Sequence, residues 1–140
     1  MLNSFTAFSP FNIFAPFGTN SFTVTFVKAS APTTAPVAAR TSAFGAIFLN
    51  ARVDGESSIE FFDGASSVAK FFAPVATPGE PSFVGVQLNG NLLSSVVIRS
   101  GTAAIFDFSG GVVTSGPADA GGKLTPNLVA FDDFIYAEPQ

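Results

Sequence analysis

Residues 128–138 read Leu-Val-Ala-Phe-Asp-Asp-Phe-Ile-Tyr-Ala-Glu and set two acidic residues, Asp132 and Asp133, inside the most apolar run near the C-terminus. Successive side chains of a β-strand point to opposite faces, so this pattern puts Asp133 in the row of Phe131 and Asp132 in the row of Phe134. Burying an unpaired carboxylate costs several kcal/mol. We therefore expect at least one of these carboxylates to have a partner, and the rest of the chain to be a β scaffold around this strand.

Several partners are compatible with the Asp pair. Calcium takes about six to eight oxygen ligands, so Asp132 or Asp133 with backbone carbonyls from an N-terminal segment would supply a structural calcium site without His or Cys. A buried basic residue would neutralise the charge equally well. The alternative is an ion pair with Arg52 or Arg99, or a carboxylate held by backbone amides at a β-bulge.

The composition excludes several function classes. The 140 residues fit one domain, 1–140, that is large enough to bury a core, although the chain has no Cys to form disulfides. Without His or Cys, His-based catalytic triads and ordinary zinc sites are excluded. The net charge is -4, and the six Lys and Arg residues are scattered, which makes nucleic acid an unexpected partner.

The apolar runs are too short for a membrane-spanning helix. Polar, Gly or Pro residues interrupt every run before it reaches about 18 residues, so we expect no membrane insertion. The N-terminus has neither a basic region nor an apolar core typical of an export signal. On this basis the chain is either cytosolic, or Met1 begins a trimmed segment of a longer protein.

Short runs with period-2 alternation, separated by turn residues, predict about eight or nine β-strands. Asp54-Gly55, Asp63-Gly64 and Asn89-Gly90 are turn signals, and Asn-Gly between apolar runs is typical of a tight hairpin. No segment shows convincing helical periodicity. We therefore predict an all-β fold, an antiparallel two-sheet sandwich, with a jelly roll as the preferred topology. The predicted strands cover 21–29, 43–53, 58–62, 68–75, 83–88, 92–98, 103–108, 111–114 and the terminal run.

Five landmarks occur in an order that resembles a group of secreted bacterial proteins, many of which carry a C-terminal PEP-CTERM sorting signal. The landmarks are AFGAIF at 43–48, SIEFFD at 58–63, SFVGV at 82–86, VIRSG at 97–101 and DDFIY at 132–136. This resemblance carries no known activity, and it implies export to a cell-surface or matrix setting. The terminal Asp-Asp strand also resembles the last strand of jelly-roll carbohydrate-binding modules, where a structural calcium ion often lies nearby.

The aromatic pairs Phe61-Phe62 and Phe71-Phe72 put one ring on each face of a strand. An outward ring would serve as a sugar-binding platform, or would belong to a second packing layer. We expect a non-enzymatic extracellular protein that binds a polysaccharide or another matrix component. The alternative is a structural or self-assembling matrix protein, because exposed strand edges recruit further strands. A glycosidase or lyase that uses carboxylates alone would need two acids to converge in a cleft. The candidates are Asp54, Glu56, Glu60, Asp63, Asp107 and Asp119.

Overall fold

The computed structural model describes residues 8–9, 12–29, 34–89, 92–109, 112–116 and 128–140. This part of the chain contains β-strands and no helix. The strands are β1 (Ser21–Val27), β2 (Ala38–Ala39), β3 (Ala43–Leu49), β4 (Ser58–Asp63), β5 (Ser66–Phe72), β6 (Pro81–Gln87), β7 (Ser95–Arg99), β8 (Ala104–Ser109), β9 (Val112–Gly116) and β10 (Ala130–Tyr136).

The strands form two main antiparallel sheets. The larger sheet has five strands in the order β2-β1-β7-β4-β5, and the smaller has three in the order β10-β3-β6. Strands β8 and β9 pair with each other. The predicted all-β fold with two antiparallel sheets is confirmed, whereas the jelly-roll topology stays a prediction.

The core lies between the two sheets and is filled largely by Phe rings. Phe22 of β1 meets Phe131 of β10 at a centroid distance of 5.4 Å. Phe26 of β1 meets Phe44 of β3 at 5.9 Å. Such edge-to-face ring pairs add to the free energy gained by apolar burial. The contacts join the inner faces of the two sheets, as expected of a sandwich.

Strand β3 is buried on both faces, and its central position in the smaller sheet pairs both of its edges. Phe44 and Phe48 point into the core between the sheets. Ile47 and Leu49 point to the opposite face, where Ala15 of the N-terminal segment packs against them. The continuous apolar run of β3 is therefore explained by two packing layers.

The predicted strands are confirmed, with differences of a few residues at their ends. The run predicted as 43–53 ends at Leu49, and the run predicted as 68–75 is β5. The Asp63-Gly64 turn is confirmed as the connection between β4 and β5. Asp63 pairs with Ser66, and Gly64 has a φ of 60°, which favours glycine.

The predicted hairpin at Asn89-Gly90 is wrong, because the runs on either side of it do not pair with each other. Strand β6 pairs with β3, whereas β7 pairs with β1 and β4, so the connection crosses from one sheet to the other. The chain does not turn back directly after β6. Instead, the Leu88 N–H donates to the Ser42 carbonyl at 2.8 Å. The conformation of Gly90 lies outside the described residues. Burial of both apolar runs against opposite sheets outweighs the local turn preference.

The N-terminal segment covers part of the core. Phe14 exchanges two backbone hydrogen bonds with Phe131 of β10, at 2.8 and 2.7 Å. Its ring packs edge-to-face on Phe22 and on Phe134. This segment therefore pairs with the outer side of β10 next to the Asp pair.

Candidate functional site

Strand β10 contains a bulge at the Asp pair. Phe131 pairs with Phe48 and Phe134 pairs with Ala46, so a step of three residues on β10 matches a step of two on β3. The extra residue interrupts the regular alternation of side chains between the two faces of the strand. Phe131 and Phe134 consequently both pack on the main core. The predicted rows, which placed these two rings on opposite faces, are wrong for this reason.

Asp132 is held by donors from the N-terminal segment. Its Oδ2 accepts hydrogen bonds from the N–H groups of Phe8, at 2.5 Å, and Ser9, at 3.0 Å. Its Oδ1 accepts one from the Ser9 hydroxyl at 2.7 Å. We call these three residues the Asp132 clamp. Backbone amides therefore hold Asp132, as one alternative predicted, but they come from the N-terminal segment and not from the bulge itself.

The clamp lowers the pKa of Asp132 although the side chain is largely buried. Burial by itself raises this pKa, because it disfavours the charged form. The hydrogen bonds from the Ser9 hydroxyl and from the Ser9 and Phe8 N–H groups favour the carboxylate and bring the pKa below its ordinary value of 3.8. Asp132 is 8% exposed, so an anion near the protein interior is stabilised by neutral donors.

Asp133 lies beside the clamp. Its Oδ1 is 3.2 Å from the Ser9 hydroxyl oxygen, which also contacts Asp132. No group of three or more His, Cys, Asp or Glu side chains that could hold a metal occurs among the residues described above. N–H and O–H donors around Asp132 fit an anion, whereas calcium requires further oxygen ligands. The calcium site at Asp132 and Asp133 stays a prediction.

The basic partners considered for the Asp pair lie elsewhere. The described ion pairs join Arg40 to Asp63 and Lys70 to Glu60. Arg52 and Arg99 are exposed and take part in neither pair. Neither Arg52 nor Arg99 pairs with Asp132 or Asp133 among the described ion pairs, and the hydrogen bonds of Asp132 go to Phe8 and Ser9 instead. Lys123 lies outside the described residues, so the buried basic partner stays a prediction.

The acids considered for catalysis are only partly described. Glu60 and Asp63 each contact a cation at the surface. The side chains of Asp107 and Asp119 lie outside the described part of the structure. The glycosidase alternative requires two acids to converge in a cleft, and this convergence stays a prediction.

The two aromatic pairs differ in how the sandwich uses them. Phe61 is fully buried, and Phe62 lies half-buried on the outer face of the larger sheet. Phe71 is 46% exposed, and its ring packs on that of Phe61 at a centroid distance of 6.2 Å. Phe72 is 51% exposed, pairs with Ser58 across the strands, and lies outside the core. One ring of each pair therefore lies on the outer face.

This outer face of the larger sheet is open and mostly polar, and we call it the polar face. The strand register sets its side chains in three rows across β1, β7, β4 and β5. The rows are Ser21, Arg99, Ser58 and Phe72; then Thr23, Val97, Glu60 and Lys70; then Thr25, Ser95, Phe62 and Ser67.

Charged groups on the polar face are held next to the exposed Phe72 ring. The Lys70 Nζ lies 3.7 Å from Glu60 Oε2 and 5.8 Å from the centroid of the Phe72 ring. The Ser67 hydroxyl donates to Glu60 Oε1 at 2.8 Å. A ring face, a cation and a carboxylate thus lie together on one flat surface.

Two further concave surfaces were not predicted from the sequence. An apolar groove of about 570 Å³ runs between β1 and β10 and includes Phe22 and Phe134. A depression of about 450 Å³ lies on the outer face of the smaller sheet, around Phe83, Gly45 and Gly85. The two glycines are direct cross-strand partners. Glycine in a strand interior marks a close approach, which is the signal that could have found this second surface.

No helix in the described ranges is long and apolar enough to cross a membrane. Comparisons with protein-family models, with curated proteins and with solved structures find no match to this chain. The resemblance to secreted bacterial proteins therefore stays a prediction.

Proposed function

We propose that this protein is a non-enzymatic, extracellular or cell-surface β-sandwich that binds a polysaccharide on its polar face. The observation that carries the proposal is the exposed Phe72 ring beside the Glu60–Lys70 ion pair. Sugar rings have an apolar face and a rim of hydroxyls, so they bind best where an aromatic ring lies beside hydrogen-bonding groups.

The polar face supports this proposal better than the groove between β1 and β10. The groove is lined mainly by apolar side chains, including Phe14, Phe26 and Phe44. It supplies few groups to pair with sugar hydroxyls. On the polar face, Arg99 and Lys70 are exposed and offer donors, while Glu60 offers a carboxylate. An extended chain could lie across several strands of such a flat surface.

A structural or self-assembling matrix protein is the second candidate. Large apolar side chains are exposed on strand β5 and just after it, including Val68 at 42% and Val75 at 54%. Exposed apolar side chains of this kind favour association through side-chain contacts. A glycan array together with sizing by light scattering separates the candidates. Monomers that retain a glycan would support the first, and polymers that grow with concentration and retain no glycan would support the second.

Polysaccharide binding is tested on a glycan array and then by titration of the best ligand. We expect Phe72→Ala to weaken binding at least tenfold, which corresponds to about 1.4 kcal/mol. Arg99→Met and Glu60→Gln should each weaken binding, because each removes a group that contacts sugar hydroxyls. The matched control is Phe17→Ala, since Phe17 is 66% exposed and lies outside the polar face.

An unchanged affinity in Phe72→Ala would show that the glycan binds elsewhere. Equal losses in Phe72→Ala and Phe17→Ala would indicate nonspecific adhesion to aromatic rings. No retained glycan across an array of bacterial and plant polysaccharides would reject polysaccharide binding and favour the matrix candidate.

A further inference from the structure

Strand β6 forms one edge of the smaller sheet and pairs on one side only, with β3. The pairing runs through all seven residues without a shift of register, from Gln87 opposite Ala43 to Pro81 opposite Leu49. Within the described chain no strand lies beyond β6. A long, regular and unpaired strand edge is a surface on which another strand can pair.

The free hydrogen-bonding groups of this edge can be assigned from the register. The Leu88 N–H donates to Ser42 on the β3 side, at 2.8 Å. Backbone groups alternate in direction along a strand, so Phe83, Gly85 and Gln87 direct their N–H and C=O groups away from β3. Pro81, at the start of the strand, has no N–H. The pairing edge therefore extends from Phe83 to Gln87.

The other long edge strands are protected, whereas β6 is not. Strand β5 carries Lys70 and a register shift against β4. Strand β10 carries Asp132 and Asp133 and is bulged. Bulges and charges are the common devices that prevent edge pairing. Strand β6 reads Pro-Ser-Phe-Val-Gly-Val-Gln and contains no charge and no bulge.

The Phe83 ring leans along β6 toward Gly85. A Cβ built on Gly85 would lie 2.7 Å from the ring Cζ, and one built on Gly45 would lie 2.7 Å from the same atom. The end of the ring therefore occupies space above both glycines. Phe83 is nonetheless 55% exposed, so much of its apolar surface has no partner.

We infer that β6 pairs antiparallel with β6 of a second copy of this chain, around a two-fold axis at Gly85. Gly85 then faces its own copy, and Phe83 faces Gln87 of the other copy. The two smaller sheets join into one sheet of six strands. Each Phe83 ring stays over the Gly45–Gly85 pair of its own copy, and both rings lie on the same face of the joined sheet.

A second copy fits this edge because the edge is self-complementary. Two-fold pairing brings the same strand edge of both copies together, so any charge on β6 would be present twice at the interface. Residues 81–87 carry none. The residue on the axis is a glycine, so no side chain of residue 85 meets its copy, and each chain's own Phe83 ring lies over it. The pairing sets Phe83, which is 55% exposed, opposite the uncharged Gln87 of the other copy.

The test is the mass in solution by light scattering over a range of concentrations. We expect wild-type protein to approach twice the chain mass of 14.4 kDa. Gln87→Pro removes an N–H that points to the free edge while leaving the bonds to β3 intact, and it should raise the dimer dissociation constant at least tenfold. Phe83→Lys, which adds a charge to the edge, should do the same. Phe72→Ala lies on the opposite sheet and should leave the dimer unchanged.

Register is tested separately, because the chain has no Cys. A spin label is attached at Gln87→Cys, and the distance between the labels of the two copies is measured. Position 87 lies two residues from the axis in each copy, so the two backbones should be about 14 Å apart at this position. A monomeric mass at every concentration would overturn the inference. So would a dimer that survives both Gln87→Pro and Phe83→Lys, or labels much farther apart than this.

Discussion

Asp132 shows how N–H and O–H donors hold a carboxylate near the interior. Two N–H groups and one hydroxyl from the N-terminal segment contact its two oxygens. Hydrogen bonds to a charged acceptor contribute more than those between neutral groups. Since Ser9 is 123 residues away in the chain, these bonds also fix the N-terminal segment to β10.

The clamp predicts a specific pH dependence of stability. Because the folded pKa of Asp132 lies below its ordinary value of 3.8, the stability it contributes is fully present above about pH 5. That stability is lost as the pH falls through the folded pKa. Asp132→Asn should lower the free energy of unfolding by about 1–3 kcal/mol at neutral pH. The difference from wild type should shrink as the pH approaches about 2.

Urea denaturation across this pH range checks the prediction. Asp133→Asn is the matched control, and it should lose less because Asp133 has a single contact with Ser9 at 3.2 Å. Ser9→Ala should lose an intermediate amount, since both N–H donors to Asp132 remain. A difference between wild type and Asp132→Asn that stays constant with pH would contradict the clamp.

At the scale of elements, β3 and β6 are adapted to each other through a pair of glycines. Gly45 and Gly85 are paired across the strands, and the Phe83 ring occupies the space where their side chains would be. Glycine is normally unfavourable inside a strand because it adds conformational entropy to the unfolded chain. The diagonal aromatic ring offsets this cost by covering the exposed backbone.

Gly45→Ala tests this packing. The added Cβ would lie 2.7 Å from the Phe83 Cζ and 3.0 Å from the Val84 carbonyl oxygen. We expect a loss of about 1 kcal/mol or more in the wild-type background, because the ring must swing outward. The same change in a Phe83→Ala background should cost less by at least about 0.5 kcal/mol. Additive effects in this double-mutant cycle would show that the ring and Gly45 are not coupled.

At the scale of the whole molecule, low charge is combined with an uneven distribution of polar groups. Charged residues are 11% of the chain, against about a quarter in typical proteins. Two of its cations, Lys70 and Arg99, lie on the polar face. Strand β6 at the edge of the other sheet has none. The two proposed surfaces, for a glycan and for a second copy, therefore lie on different sheets.

Calcium binding is tested on the whole protein by thermal melts. If Asp132 or Asp133 ligates calcium, the midpoint should rise in calcium and fall in chelator, by the free energy of native-state binding. Asp132→Asn and Asp133→Asn should both abolish that difference. Identical midpoints in calcium and chelator would reject the metal and leave the hydrogen-bond clamp as the sole means by which Asp132 is stabilised.

Much of the fold was predictable because its signals are local. The alternation of Phe22, Val24 and Phe26 with threonines predicts a half-buried strand wherever that strand pairs. Asp63-Gly64 predicts a turn because glycine tolerates positive φ, and its flanking residues pair as a hairpin. The lack of His and Cys excludes whole classes of chemistry without any structure.

The tertiary structure alone decided which strands pair and which groups meet. Asn89-Gly90 has a strong hairpin signal, yet its flanking strands pair in different sheets, because each buries its apolar face against distant partners. The run Phe131-Asp132-Asp133-Phe134 is compatible with a regular strand, and only pairing with β3 reveals the bulge that turns both rings inward. Ser9 reaches Asp132 across most of the chain. Period and turn chemistry depend on neighbouring residues, whereas register and partners depend on the free energy of the whole packed sandwich.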